Sequence, residues 1–139
     1  MSGQQQLETS PAPLKRRQPA SLDDAQLLDT QHAFDSVAAD YDGPRGNNEL
    51  IQRMRITLWD TVHSELPAEA RLLDLGCGTG IDALEFAQRG FRVVATDWSP
   101  QMVERTRARI ADAGLQSRVS AMHLGVQQLD RLGGTFDGI

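Results

Sequence analysis

The sequence predicts an α/β fold, a mostly parallel sheet with helices on both faces, and three observations carry that prediction. Leu72, Leu73 and Leu75 form a short apolar run with Asp74 set into it, and Gly76, Gly78 and Gly80 follow at every second position. Ile81, Leu84, Phe86 and Ala87 then return at helical spacing. After Gly90 a second apolar run, Phe91 to Thr96, ends in Asp97. In open sheets of this kind a ligand sits at the carboxyl ends of the strands. Glycine there lets the backbone approach, and a helix N-terminus offers unpaired N–H groups. A nucleotide-like cofactor is expected at this turn.

Composition sets the outer bounds. The 139 residues are 40% hydrophobic and 24% charged, enough for one domain or part of one. With 14 basic and 19 acidic side chains the net charge is -5, and the pI is about 5.1. Small ligands are therefore favoured over nucleic acid or anionic lipid. No apolar run approaches the roughly 18 residues of a membrane span, and the N-terminus lacks the apolar stretch of a secretory signal, so the expected compartment is the cytoplasm. The single cysteine, Cys77, can form neither an internal disulfide nor a metal cluster. Between two glycines it reads as a small packing residue, and no metal is expected.

The glycine spacing narrows the cofactor. A dinucleotide fingerprint has its third glycine five residues after the first, but that position is Ile81, and Gly80 comes one residue early. The D-x-G-x-G-x-G pattern of Asp74, Gly76, Gly78 and Gly80 resembles the first motif of the class I S-adenosylmethionine-dependent methyltransferases. The resemblance implies a Rossmann-like methyltransferase fold. The turn, Cys77 included, would pass the methionine and ribose of S-adenosyl-L-methionine, with Asp74 near the ammonium group directly or through water.

Before the motif, residues 1–20 hold a glutamine run and three prolines and read as a disordered tail, in which Lys15, Arg16 and Arg17 make a short basic cluster. Residues 21–66 read as a helical cap and residues 67–139 as the partial cofactor-binding domain. Ser21 followed by Asp24 suggests a helix start, with Leu22, Ala25, Leu28 and His32 at helical spacing. A second helical segment, Phe34 to Asp42, places Phe34, Val37, Ala38 and Tyr41 on one stripe. It is similar to the F-D-x-x-A-x-x-Y-D segment that precedes the first strand in many small-molecule methyltransferases. By that resemblance Tyr41 is a candidate cofactor contact, the alternative being a half-buried aromatic at a helix end, and Phe34 is expected in the core. Gly43, Pro44 and Gly46 form a turn, where Arg45 is either exposed or turned toward a carboxylate. Asn47 or Asn48 caps a helix with Leu50, Ile51, Met54, Leu58 and Val62 on one face, ending before Pro67. His63, at that helix's last turn, needs no catalytic role.

Asp97, about 20 residues beyond the glycine turn, suits two ribose hydroxyls. Methyltransferases and nicotinamide enzymes share this device. Ser99 with Pro100 supplies an N-cap and first-turn proline for a helix that runs to Ala113 and stops at Gly114; its Arg105, Arg107 and Arg109 read as a solvated face. Trp98 resembles the family position that covers the adenine, and Met102 packs either there or in the core. Arg118 to Leu124 reads as a third strand. In the family the turn that follows carries Gly-Asp, but Gly125 and Val126 stand here. The adenine edge is then left to backbone, Gln127 or Gln128.

Gly133 to Thr135 make a turn, and Phe136 to Ile139 resembles the start of the family's fourth strand, which lies beside the first. The family sheet has seven strands, and the resemblance covers about residues 32–139. It implies a chain truncated after the start of the fourth strand: the cofactor-binding portion of a methyltransferase acting on a small-molecule acceptor, inactive alone. The first strand's far edge would be only partly covered. No catalytic base can be named, and the oligomeric state is not written in the sequence. A nicotinamide-dependent oxidoreductase fragment and a non-catalytic nucleoside-binding module are the competing readings.

Overall fold

The computed structural model describes residues 23–139. The tail assigned to residues 1–20 and the expected helix start at Ser21 lie outside the described residues. The first described helix, α1 (Asp24–Val37), is capped by Asp23: its carboxylate accepts the Gln26 N–H at 2.8 Å, and the Gln26 side chain returns to the Asp23 N–H. The two helical segments expected on either side of His32 are one helix. It ends at Val37, and Tyr41 lies in the turns that follow. None of the residues of α1 is buried.

Helix α2 (Glu49–Glu65) starts where Asn48 caps the Ile51 N–H, as one of the two candidate asparagines. Its inward stripe differs from the expected one. Leu50, Met54 and Leu58 are 68%, 64% and 49% exposed, while Ile51, Arg55, Trp59 and Val62 face inward. An arginine on the inner stripe hides the helical period from any reading of apolar residues alone.

Strands β1 (Arg71–Leu75), β2 (Arg92–Asp97) and β3 (Val119–His123) form a parallel sheet in that order. Leu72 pairs with Val93 and Leu75 with Thr96; Val93 pairs with Val119 and Asp97 with His123. Helices α3 (Ile81–Gln88) and α4 (Pro100–Asp112) make the crossovers. Alternation sends Leu72, Val93, Ala95 and Val119 to one face, where they pack with Ala83, Phe86, Ala87, Phe91 and Ile110. Phe91 is 1% exposed, and a phenyl ring so buried contributes about 2 kcal/mol. The opposite face carries Val94 and the 39%-exposed Met122. His63 completes the aromatic group, its ring 6.0 Å from that of Phe91.

Beside β1, Gly138 forms a single parallel bridge with Leu72, and the Leu73 N–H donates to its carbonyl. Arg71 secures this approach: its guanidinium donates to the carbonyls of Thr135 and Gly133 and lies over the Phe136 ring. The fourth strand's start therefore runs beside the first, as the resemblance implies. A two-turn 3-10 segment, η1 (Val126–Arg131), follows β3 and was not foreseen. No helix among the described residues is long and apolar enough to cross a membrane.

Candidate functional site

Parallel register brings the tips of β1, β2 and β3 to one edge of the sheet, and a cavity of about 360 Å³ opens there. Gly76, Gly78, Asp97 and Trp98 line it from the strand tips, with Leu124, Gly125 and Val126 beyond β3. Thr30 and Phe34 of α1 and Tyr41 line it from above the sheet. Its volume is in the range of small-molecule and cofactor sites.

The three motif glycines serve different ends. Gly76 has φ +77°, and no atom lies within 4 Å of where a Cβ would stand, so its backbone faces open space at the cavity. Gly78 has φ +55°, and its nearest neighbour is the Tyr41 ring, 3.5 Å from the Cβ position. Gly80 caps α3 at φ +84°, and a Cβ there would sit 2.7 Å from the Thr106 methyl group. Gly76 thus makes room for a ligand, while Gly80 lets α3 and α4 approach each other.

Asp97 is the hub of this edge. One carboxylate oxygen accepts the Gly78 N–H and the other the Ser99 N–H, both at 2.8 Å. It joins the glycine turn to the start of α4, and a carboxylate oxygen retains a further lone pair for a hydroxyl donor. Ser99 caps α4 as expected, accepting the Met102 N–H at 3.1 Å. Trp98 donates its indole N–H to the Leu27 carbonyl at 2.8 Å, and the His123 ring lies 5.3 Å away on its side.

Half of the residues singled out from the sequence do not line this cavity. Asp74 shares the sheet face of Leu72 and Asp97, but at β1 that face is covered by α2 and α3, and its carboxyl turns toward Arg55, Asp82 and Ala83. It lines a second cavity of about 380 Å³ along the β1 edge, together with Leu58, Val62, Leu66 and Asp82. The two cavities share Leu75. Burial pushes the Asp74 carboxyl up to about 6; the negative charge of Asp82 adds to this and Arg55 opposes it. Its Oδ2 is buried without a partner. Asp82 is held by Arg55 at 2.8 Å and by the Trp59 indole N–H at 2.9 Å.

Cys77 is buried, with its Sγ 3.6 Å from the Thr106 hydroxyl. Burial pushes its thiol up to about 12, so it stays protonated and inert, in keeping with a packing role. Met102 is 1% exposed and belongs to the core, one of the two places open to it. Gln127 is exposed at the rim, where its amide lies 2.3 Å from where a Gly125 Cβ would stand, and Gln128 accepts the Gly125 N–H at 3.3 Å. Val126, standing where the family has an acid, presents an apolar side chain to the cavity.

Other contributors were missed. Phe34, expected in the core, is 44% exposed and lines the cavity. Asp42 accepts the Thr79 hydroxyl at 2.7 Å and pairs with Arg109, fixing the Tyr41 turn over Gly78. Asp35 accepts the Ser99 hydroxyl and ties α1 to the start of α4. Helical spacing could have flagged Phe34, but no local signal links Asp35 or Asp42 to partners more than 35 residues away.

A family model described as a methyltransferase domain matches residues 72–139. The chain is 36% identical over 92 residues to a magnesium-protoporphyrin O-methyltransferase of Rhodobacter capsulatus, covering 64% of this chain and 40% of that protein. It is 29% identical over 100 residues to a tRNA 5-carboxymethoxyuridine methyltransferase of Escherichia coli, covering 69% and 38%. Among solved structures, magnesium protoporphyrin IX methyltransferase from Synechocystis PCC 6803 with bound S-adenosylmethionine superposes with a TM-score of 0.60 at 25% identity. That match covers 86% of this chain and 62% of the other. The chain thus spans about two fifths of the length of these curated relatives.

Proposed function

We propose that this chain is the cofactor-binding portion of a class I S-adenosylmethionine-dependent methyltransferase that methylates a small-molecule acceptor, a reading supported by the methyltransferase-domain match over residues 72–139 and by the methyltransferases it is similar to. The observation that carries the reading is the empty space over Gly76, set beside the Asp97 carboxylate and the Trp98 ring at one sheet edge. A nucleoside with an amino-acid tail fits those features. Asp97 would accept from the ribose hydroxyls, Trp98 and Val126 would flank the base, and the backbone of Gly76 and Gly78 would let the tail pass under Tyr41. Asp74, one residue before the end of β1, would meet the ammonium group from the neighbouring cavity through a bridging water.

When bound, S-adenosylmethionine supplies an electrophilic methyl group on a sulfonium. The protein's own contribution is alignment and exclusion of water: the Asp42 to Thr79 bond fixes the Tyr41 turn, and Phe34 closes the hollow from α1. The residues described supply no evident proton acceptor at the cavity beyond Asp97, which is engaged on both oxygens.

A small acceptor is supported by the net charge of -5, which disfavours a polyanion, and by the porphyrin relative. The tRNA-modifying relative makes RNA the competing acceptor. Calorimetry tests the cofactor: S-adenosylhomocysteine should bind one to one and NAD should not, and the reverse order of affinity contradicts the reading. Adding tRNA or small aromatic acids to the loaded chain tests the acceptor. Saturable binding of tRNA with no binding of the acids contradicts a small-molecule acceptor.

A further inference from the structure

The end of the cavity beyond β3 is built from apolar groups. Leu124 is 3% exposed, Gly125 is buried, and Val126 presents its side chain from the start of η1. Asp97 is the one charged side chain among the described residues that line the cavity, and both of its oxygens are engaged by the Gly78 and Ser99 N–H groups. The Trp98 indole N–H is spent on the Leu27 carbonyl at 2.8 Å, so this ring offers a ligand its face and no donor. A flat face stacks on any purine. The edge of a bound base is therefore left to two side-chain amides. Gln128 accepts the Gly125 N–H at 3.3 Å, which ties its oxygen to the backbone. Gln127 is exposed, and its Nε2 lies 2.7 Å from where a Gly125 Cβ would stand, against a residue that lines the cavity.

We infer that Gln127 reads the purine edge in this chain, and that the site takes 6-amino and 6-oxo purine nucleosides alike. The inference rests on the cofactor reading above and extends it to the class of nucleoside admitted. Adenine shows a donor at its 6-amino group beside an acceptor at N1. Hypoxanthine shows the reverse, an acceptor at O6 beside a donor at N1. A carboxylate only accepts, so it suits the first edge and sets lone pair against lone pair at the second. A primary amide carries an acceptor and a donor side by side, and a half-turn about its last torsion exchanges them. It can therefore pair with either edge. Gln127 is exposed, so that half-turn meets no packed neighbour that fixes one orientation. The wall of Leu124 and Val126 adds contact but no polar group that one of the two edges would leave unpaired.

Calorimetry with S-adenosylhomocysteine and its 6-oxo analogue, S-inosylhomocysteine, tests this. The wild-type chain should bind the two within about threefold of each other, less than one typical net hydrogen bond would separate them. Gln127→Glu keeps the length of the side chain and leaves only acceptors; Val126→Asp brings an acceptor to the same edge from the cavity wall. Both positions are exposed, and thermal melts check that each variant folds. Each variant should keep its affinity for S-adenosylhomocysteine and bind S-inosylhomocysteine about tenfold more weakly, because O6 then faces a carboxylate. A wild-type preference of about tenfold or more for either nucleoside overturns the inference and leaves the cofactor reading standing. Affinities that stay equal in both variants also overturn it, since they take Gln127 away from the base edge. A wild-type chain that binds neither nucleoside removes the cofactor reading itself, and the inference falls with it.

Discussion

The Asp97 carboxylate accepts the Gly78 N–H at 2.8 Å, so the tip of β2 and the glycine turn after β1 form one unit. Replacing Asp97 with Ala should act twice. Loss of the bonds to Gly78 and Ser99 should lower folding stability by about 1–3 kcal/mol, read from chemical denaturation. Affinity for S-adenosylhomocysteine, read by calorimetry, should fall by more than the stability loss explains, because the ribose acceptor is gone as well. Unchanged affinity would remove Asp97 from the ligand site.

The glycines should separate by kind. Gly80→Ala places a methyl group 2.7 Å from Thr106 at φ +84° and should destabilise the fold by about 2–4 kcal/mol. Gly76→Ala, at φ +77° in open space, should cost only the backbone strain of about 1–2 kcal/mol. The ranking reverses for ligand affinity in whatever fraction folds, since only the Gly76 methyl group projects toward the cavity. Thermal melts and calorimetry on the two variants check both orders.

Asp74 makes stability depend on pH in an unusual direction. Its folded value, about 6, lies above the ordinary 3.8, so the folded chain binds the proton more tightly than the unfolded one. This favours folding below about pH 4 and is lost as the pH rises through 6, by about 3 kcal/mol in all. Asp74→Asn should therefore be more stable than wild type at pH 8 and no more stable at pH 4. Denaturation curves at the two pH values decide it, and equal differences at both would contradict the buried carboxyl.

Asp42 should act through Tyr41. Asp42→Ala removes the bond to Thr79 and the pairing with Arg109, which frees the turn that lays the Tyr41 ring over Gly78. Weaker S-adenosylhomocysteine binding by about three- to tenfold is expected, the equivalent of one or two net hydrogen bonds. Retained affinity would show that the ring position does not matter.

Much of the fold was legible because local signals and tertiary needs agree around the motif. The apolar run at Leu72 and Leu73, the positive-φ glycines and the Ser99-Pro100 cap each declare a strand, a turn or a helix start within a few residues. Before the motif that agreement fails. Helix α2 puts Arg55 on its inner stripe to meet Asp82, 27 residues away, and leaves Leu50, Met54 and Leu58 exposed. Helix α1 buries nothing, so its apolar spacing marks no core, and Phe34 turns to the cavity instead.

Of the candidate residues, Gly76, Gly78, Asp97 and Trp98, whose positions follow from strand ends, and Tyr41, from the segment before the first strand, line one cavity. Asp74 was expected beside the glycine turn, yet its carboxyl turns toward Arg55 of α2 and Asp82 of α3 and lines the neighbouring cavity. The polar ties of Asp35 and Asp42 bridge 37 to 67 residues, a distance over which spacing carries no information.

Two cavities of similar volume flank the end of β1, and the account rests on the ligand choosing the one beneath α1. Amide and indole chemical-shift mapping during titration with S-adenosylhomocysteine separates them directly. The account predicts the largest shifts at Gly76, Gly78, Asp97 and the Trp98 indole N–H. Shifts confined to Leu58, Leu66 and Gly138, along the β1 edge, would contradict it.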